Sequence, residues 1–219
     1  VALAFVRNRP EDVGQFPDGQ RVEDRGGAGG SGAGAGDGER SWTRAEALRT
    51  RAMWLLLVVT FVPALVTNGV SFNQISILTA AGLTPTAAAL TFTVESAVAI
   101  PMTLAAGWLA DRFGPRPVLV LGQGLLLATP LCLLVAGPGP TAILFGVLRG
   151  LTTGAWILGT EVAWPAFFGR RHLGSIVGLG FAVSFVGAAV GPLPFGVIFD
   201  RSGSYQDAIL LIAVLPVLS

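Results

Sequence analysis

The chain has 219 residues, 52% of them hydrophobic and only 12% charged, with a mean hydropathy of +0.68; these values exclude an ordinary soluble domain and point to a membrane protein. A net charge of +1, with basic and acidic residues balanced and scattered, gives no support for a nucleic-acid partner. One Cys and one His exclude an internal disulfide and a Cys/His metal site.

The charge is unevenly placed. Residues 1–51 hold eight Arg and eight acidic residues, whereas the remaining 168 hold six Arg and five acidic residues. The opening VALAFV, residues 1–6, is too short for a signal peptide and reads as the end of a preceding transmembrane helix, which makes the chain a fragment. Residues 7–51 then form a linker. Its glycine run, Gly26 to Gly38, cannot bury enough apolar area to offset its ordering entropy, so the linker is expected to be largely disordered. Ser41 to Arg51 can be helical, with Ser41 or Thr43 as the cap and Glu46 three residues after Thr43. Such a helix would lie on the membrane surface with Trp42 inserted, or simply be solvated.

Residues 52–219 hold six apolar segments: Ala52 to Leu78, Thr86 to Ala110, Pro117 to Ala136, Thr141 to Trp164, Leu173 to Phe199 and Tyr205 to Ser219. A helix rises about 1.5 Å per residue, so a span takes roughly twenty residues. The first five segments suffice; the sixth is short and is expected to be truncated. Arg112 with Arg116 and Arg170 with Arg171 fall on the side of the Arg-rich linker, while the opposite turns hold only Arg201. The positive-inside rule therefore puts the linker in the cytoplasm. Trp54, Trp108 and Trp164 fall at cytoplasmic helix ends, as an interfacial aromatic belt would have them.

Between the second and third segments runs GWLADRFGPRPVLVLG, Gly107 to Gly122. Its pattern Gly-x-Leu-Ala-Asp-Arg-x-Gly-x-Arg resembles the signature loop of the major facilitator superfamily of secondary transporters. The resemblance implies an all-α membrane protein built as a six-transmembrane-helix half of that fold. It also implies roles. Gly107 lets helices approach, Asp111 faces the N-terminal end of a helix in the other half, Gly114 makes a tight turn, and Arg112 and Arg116 hold the turn at the cytoplasmic surface. Pro115 stands where the family usually has a second basic residue.

Arg9 to Gly14 (RPEDVG) resembles the mid-chain linker of monocarboxylate and oxalate:formate carriers. Phe167 to Gly178 and Phe199 to Tyr205 resemble the turns flanking their eleventh helix. Gly187-x-x-x-Gly191-Pro192 instead resembles a motif best known from the first half of antiporters. The linker and the leading helix remnant favour the second half, helices seven to twelve, whose partner is an N-terminal six-helix half.

Polar groups at membrane depth are costly and mark function. Glu95 and Arg149 lie nine and eight residues from the outer ends of their spans, each about 12 to 14 Å deep. They are expected to face a central cavity, Arg149 attracting an anionic substrate and Glu95 pairing with it or carrying a coupling proton; the alternative is a static pair joining two helices. Glu161 resembles the acid that pairs with the loop Arg in the other half, and is expected to gate through Arg112 or Arg116. Thr67, Asn68, Ser71, Asn73 and Gln74, with Gly69 among them, suggest a bent or broken helix that meets substrate. Trp156 is either a cavity wall or lipid-facing, and Gly187, Gly191, Pro192, Pro194 and Gly196 read as packing and hinge positions.

An intramembrane hydrolase would need a Ser and His at depth or paired carboxylates, yet the one His is in a turn, so no enzyme activity, cofactor or metal is expected. The expectation is a multi-pass secondary carrier of the cell membrane, moving a small molecule with protons, an organic anion by the carrier resemblance. A drug–proton antiporter or a non-transporting scaffold is the alternative. Oxalate itself is disfavoured, because oxalate exchangers of this class use basic residues in the eighth and eleventh helices and this chain has none there.

Overall fold

A computed structural model describes residues 42–169 and 172–218. The chain divides into Val1–Gly38 and Glu39–Ser219, and the described residues all belong to the second unit. The expected helix remnant, most of the linker, Arg170 and Arg171 lie outside the described residues.

Among the described residues the structure is helical: α1 (Arg44–Ala47), α2 (Arg51–Ala80), α3 (Pro85–Phe113), α4 (Pro115–Leu134), α5 (Pro140–Phe168), α6 (Leu173–Val190), α7 (Pro192–Ser202) and α8 (Gln206–Val214), then a 3₁₀ turn at Leu215–Leu218. Five helical runs are long and apolar enough to cross a membrane, with α6 and α7 counted as the single run Leu173–Ser202. The boundaries follow local chemistry. Thr50 and Thr84 accept from the backbone N–H of Met53 and Ala87 and so cap α2 and α3. Pro85, Pro115, Pro140 and Pro192 open their helices, where the missing N–H has no partner to lose. Gly114 ends α3 at φ +81°, a conformation that a side chain would strain, so α3 turns into α4 within one residue.

The short linker helix is smaller than expected and does something different. Thr43 and Glu46 form the capping box, but the helix stops at Ala47. Trp42 packs, partly buried, on a cluster of Ala47, Met53, Trp164 and Phe168, and its backbone N–H donates to the Phe168 carbonyl at 3.3 Å. Trp164 also departs from the aromatic-belt expectation, since it is 4% exposed and stacks on Phe168. A ring that can reach a neighbouring ring and a core cluster gains more from burial than from the interface. Trp54 and Trp108 are exposed as expected.

Two glycine-lined seams organise the bundle. In the first, Gly146, Gly150 and Gly154 of α5 lie against the backbone of α3. A Cβ at Gly150 would come within 2.5 Å of the Glu95 carbonyl oxygen, and one at Gly154 within 2.7 Å of that of Ala99. In the second, α2 meets α6. A Cβ at Gly187 would fall 2.7 Å from the Phe61 carbonyl oxygen, and one at Gly69 2.5 Å from that of Gly191. Backbones this close gain dispersion contact along whole turns, which is how helices associate where lipid removes the hydrophobic drive. The fifth run is interrupted at Gly191–Pro192, within the stretch read as packing and hinge positions.

The polar stretch of α2 neither breaks nor unwinds the helix, contrary to expectation. Thr67, Asn68 and Asn73 donate to the carbonyls of Pro63, Ala64 and Gly69, each four residues back, at 2.6, 2.9 and 3.0 Å. Side chains that satisfy themselves on their own helix can sit in an apolar span without freeing its backbone.

Candidate functional site

Glu95 of α3 and Arg149 of α5 meet at the centre of the first seam. Arg149 donates through Nε to Oε2 and through Nη2 to Oε1, each at 3.1 Å, a bidentate pair whose side chains are 5% and 12% exposed. Removing either charge from water is unfavourable unless remaining donors and acceptors also find partners. Here they do. Thr153 Oγ1 donates to Glu95 Oε1 at 3.1 Å, while Arg149 donates to the Thr67 carbonyl at 3.3 Å and to Ser71 Oγ. The arrangement thus joins three helices, with the anion on α3, the cation on α5 and its further acceptors on α2.

Thr153 and Thr91 are site residues that composition did not single out. The available signal is spacing: Thr153 is four residues after Arg149 and Thr91 four before Glu95, so each shares a helix face with a member of the pair. Thr91 accepts from Gln74 Nε2 at 2.7 Å and ties α2 to α3, while Gln74 Oε1 is buried with no partner among the described residues. Behind the pair, Thr129 of α4 and Thr152 of α5 lie 2.8 Å apart. Gln123 of α4 was also passed over; its amide is buried, and neither polar atom has a hydrogen-bond partner among the described residues.

The other expected site residues are scattered. Gln74 is fully buried between helices, Asn68 is exposed and Asn73 half-buried. Trp156 borders a cavity of about 130 Å³ between α2, α5 and α6, shared with Thr60, Glu161, Trp164, Phe181 and Ser184. Its indole Nε1 is buried without a partner among the described residues.

The turn between α3 and α4 is a separate region. Asp111, Arg112 and Arg116 are exposed and Glu161 of α5 is exposed too. No ion pair joins Glu161 to Arg112 or Arg116 among the described residues. Arg112 instead lies over the rings of Trp108 and Phe113, 5.6 and 5.7 Å from their centres. Gly107 faces Leu158 of α5, where a Cβ would make ordinary contact at 3.5 Å. No cluster of three or more His, Cys, Asp or Glu side chains suited to a metal exists among the described residues.

Residues 55–219 match the Major Facilitator Superfamily. The chain is also 34% identical over 108 residues to an uncharacterized MFS-type transporter of Mycobacterium tuberculosis, a stretch covering 49% of this chain and 18% of that protein. The all-α bundle, its membrane-length helices and a family match over most of the chain give one conclusion: this is a multi-pass membrane protein belonging to the Major Facilitator Superfamily.

Proposed function

We propose that the chain is the C-terminal half, helices seven to twelve, of a proton-coupled secondary carrier that moves a small organic anion across the cell membrane by alternating access. Its N-terminal linker lies in the cytoplasm, and its partner is the N-terminal six-helix half, against which it rocks. The observation that supports this reading is the buried bidentate pair. While Glu95 is ionised, its carboxylate occupies the Nε–Nη2 edge of Arg149. A proton from solution that binds Glu95 removes the competing charge, and a substrate carboxylate takes the same edge in the same geometry. One proton and one anion then cross together. Asn68, Asn73, Gln74 and Trp156 flank the route, and Gly107, Asp111, Arg112, Gly114, Arg116 and Glu161 form the cytoplasmic gate.

A second reading, a drug–proton antiporter, draws on the cavity beside Trp156, where Trp164, Phe181 and the Glu161 carboxylate would suit a cation. Uptake of a labelled monocarboxylate panel into vesicles holding the full-length carrier, with and without a proton gradient, separates the two. Anion symport requires that Arg149→Gln abolish uptake and that Glu95→Gln remove only its dependence on the gradient. Wild-type transport by both variants rejects that reading.

A further inference from the structure

The pair is held unequally by its surroundings. On one side α3 and α5 are locked in register: the built Cβ positions of Gly146, Gly150 and Gly154 fall 3.1, 2.5 and 2.7 Å from the carbonyl oxygens of Thr91, Glu95 and Ala99. A sliding or tilting motion there would drive backbone into backbone. On the other side, α2 reaches the pair through polar contacts, Thr67 and Ser71 accepting from Arg149 and Gln74 donating to Thr91. Near those contacts the side-chain Oε1 of Gln74 is buried with no partner among the described residues, a polar group that this arrangement leaves unsatisfied. Behind α2 lies the second seam, which ties it to α6 through Gly69, Gly187 and Gly191. Two stiff helix pairs, α3–α5 and α2–α6, thus meet at Arg149 through a few hydrogen bonds, while apolar clusters join α2 to α5 towards either end of the bundle.

We infer that Ser71 is the positioning residue through which the protonation state of Glu95 is passed to α2, so that proton binding moves the α2–α6 pair relative to the α3–α5 pair. This rests on the coupling role proposed for Glu95. When a proton from solution neutralises Glu95, the guanidinium keeps its charge and its remaining acceptors are on α2, at Ser71 Oγ and the Thr67 carbonyl. It follows them. The glycine seam prevents α3 and α5 from absorbing the change, so it appears as a shift of α2. The groups facing Glu95 are Arg149 and Thr153 from α5 and, through Arg149, Thr67 and Ser71 from α2. Among the described residues the other charges of the packed helices lie away from the pair: Arg51 and Arg116 start α2 and α4, Asp111 and Arg112 end α3, Glu161 is twelve residues beyond Arg149 on α5, and α6 carries none. A packed interface with two discrete arrangements converts such a local change into a helix displacement of about 1–2 Å.

The test needs no substrate. The full-length carrier, with Cys132→Ala and its other cysteines replaced, carries spin labels at the exposed positions Thr79→Cys of α2 and Ile143→Cys of α5; a second preparation carries Ala89→Cys of α3 with Ile143→Cys. Distance distributions are read by electron–electron resonance across a pH titration. Acidification is expected to shift the α2–α5 distance and leave the α3–α5 distance unchanged. Glu95→Gln should hold the shifted value at every pH, Ser71→Ala should abolish the shift, and Ser71→Thr, which keeps the hydroxyl, should restore it. A Ser71→Ala carrier that shifts like wild type overturns the inference, as does an α3–α5 distance that moves as far as α2–α5. Failure of the coupling role itself is read separately, as gradient-dependent uptake that survives Glu95→Gln.

Discussion

The charges at membrane depth and those at the α3–α4 turn obey different rules. Glu95 and Arg149 are enclosed by helices, and the structure supplies them with one another, two hydroxyls and a backbone carbonyl. Asp111, Arg112, Arg116 and Glu161 are exposed, and among the described residues Arg112 has only the rings of its own helix beside it. Burial explains the difference. A charge that water cannot reach must find its partners inside the bundle, whereas an exposed one is screened already. The lesson concerns where structure constrains function: the deep site is specified by this chain's own contacts, while the turn is left open to whatever meets it.

The sharpest way to break this comparison is to remove one deep partner. Arg149→Gln strands an ionised Glu95 and is expected to lower the stability of the detergent-solubilised carrier by about 3–5 kcal/mol. Adding Glu95→Gln should recover part of that loss, and thermal unfolding of the two single variants and the double variant measures the coupling. Gly150→Ala comes next, at about 1–3 kcal/mol, because the new methyl meets the Glu95 carbonyl oxygen. Its counterpart is Gly124→Ala on α4, where nothing lies within 4 Å of the added atom and a gain of about 0.5–1 kcal/mol is expected instead. Thr153→Val removes one hydrogen bond from the Glu95 carboxylate and should cost about 1 kcal/mol. Glu161→Gln, at the exposed end, should change unfolding by less than about 0.5 kcal/mol; a loss as large as that for Arg149→Gln would mean that the two regions are not distinct.

Much of the bundle could be read from residue order alone, because apolar runs with Pro at their starts and Gly at their turns leave few alternatives. The depth match that singles out Glu95 and Arg149 needs only helical rise. What could not be read is where a side chain turns when several options satisfy it. Thr67, Asn68 and Asn73 looked like a broken helix because polar residues in a span need partners; the partners proved to be carbonyls one turn back. Trp164 looked interfacial from its position and is buried, since Phe168 lies one turn away with a cluster to join. Thr153 escaped notice because a threonine in a span carries no signal until its spacing from Arg149 is considered.

The first seam has a further consequence in genetic terms. Glycine is the smallest residue, so every missense change at Gly150 or Gly154 adds at least one carbon where under 3 Å is available to the backbone of α3. Exposed apolar positions such as Leu104 and Val120 can exchange among Leu, Ile and Val with little effect on packing inside the bundle. A saturation library of the full-length carrier should therefore show a one-sided profile: broad tolerance at the exposed apolar positions and near-complete intolerance at two glycines a single helical turn apart.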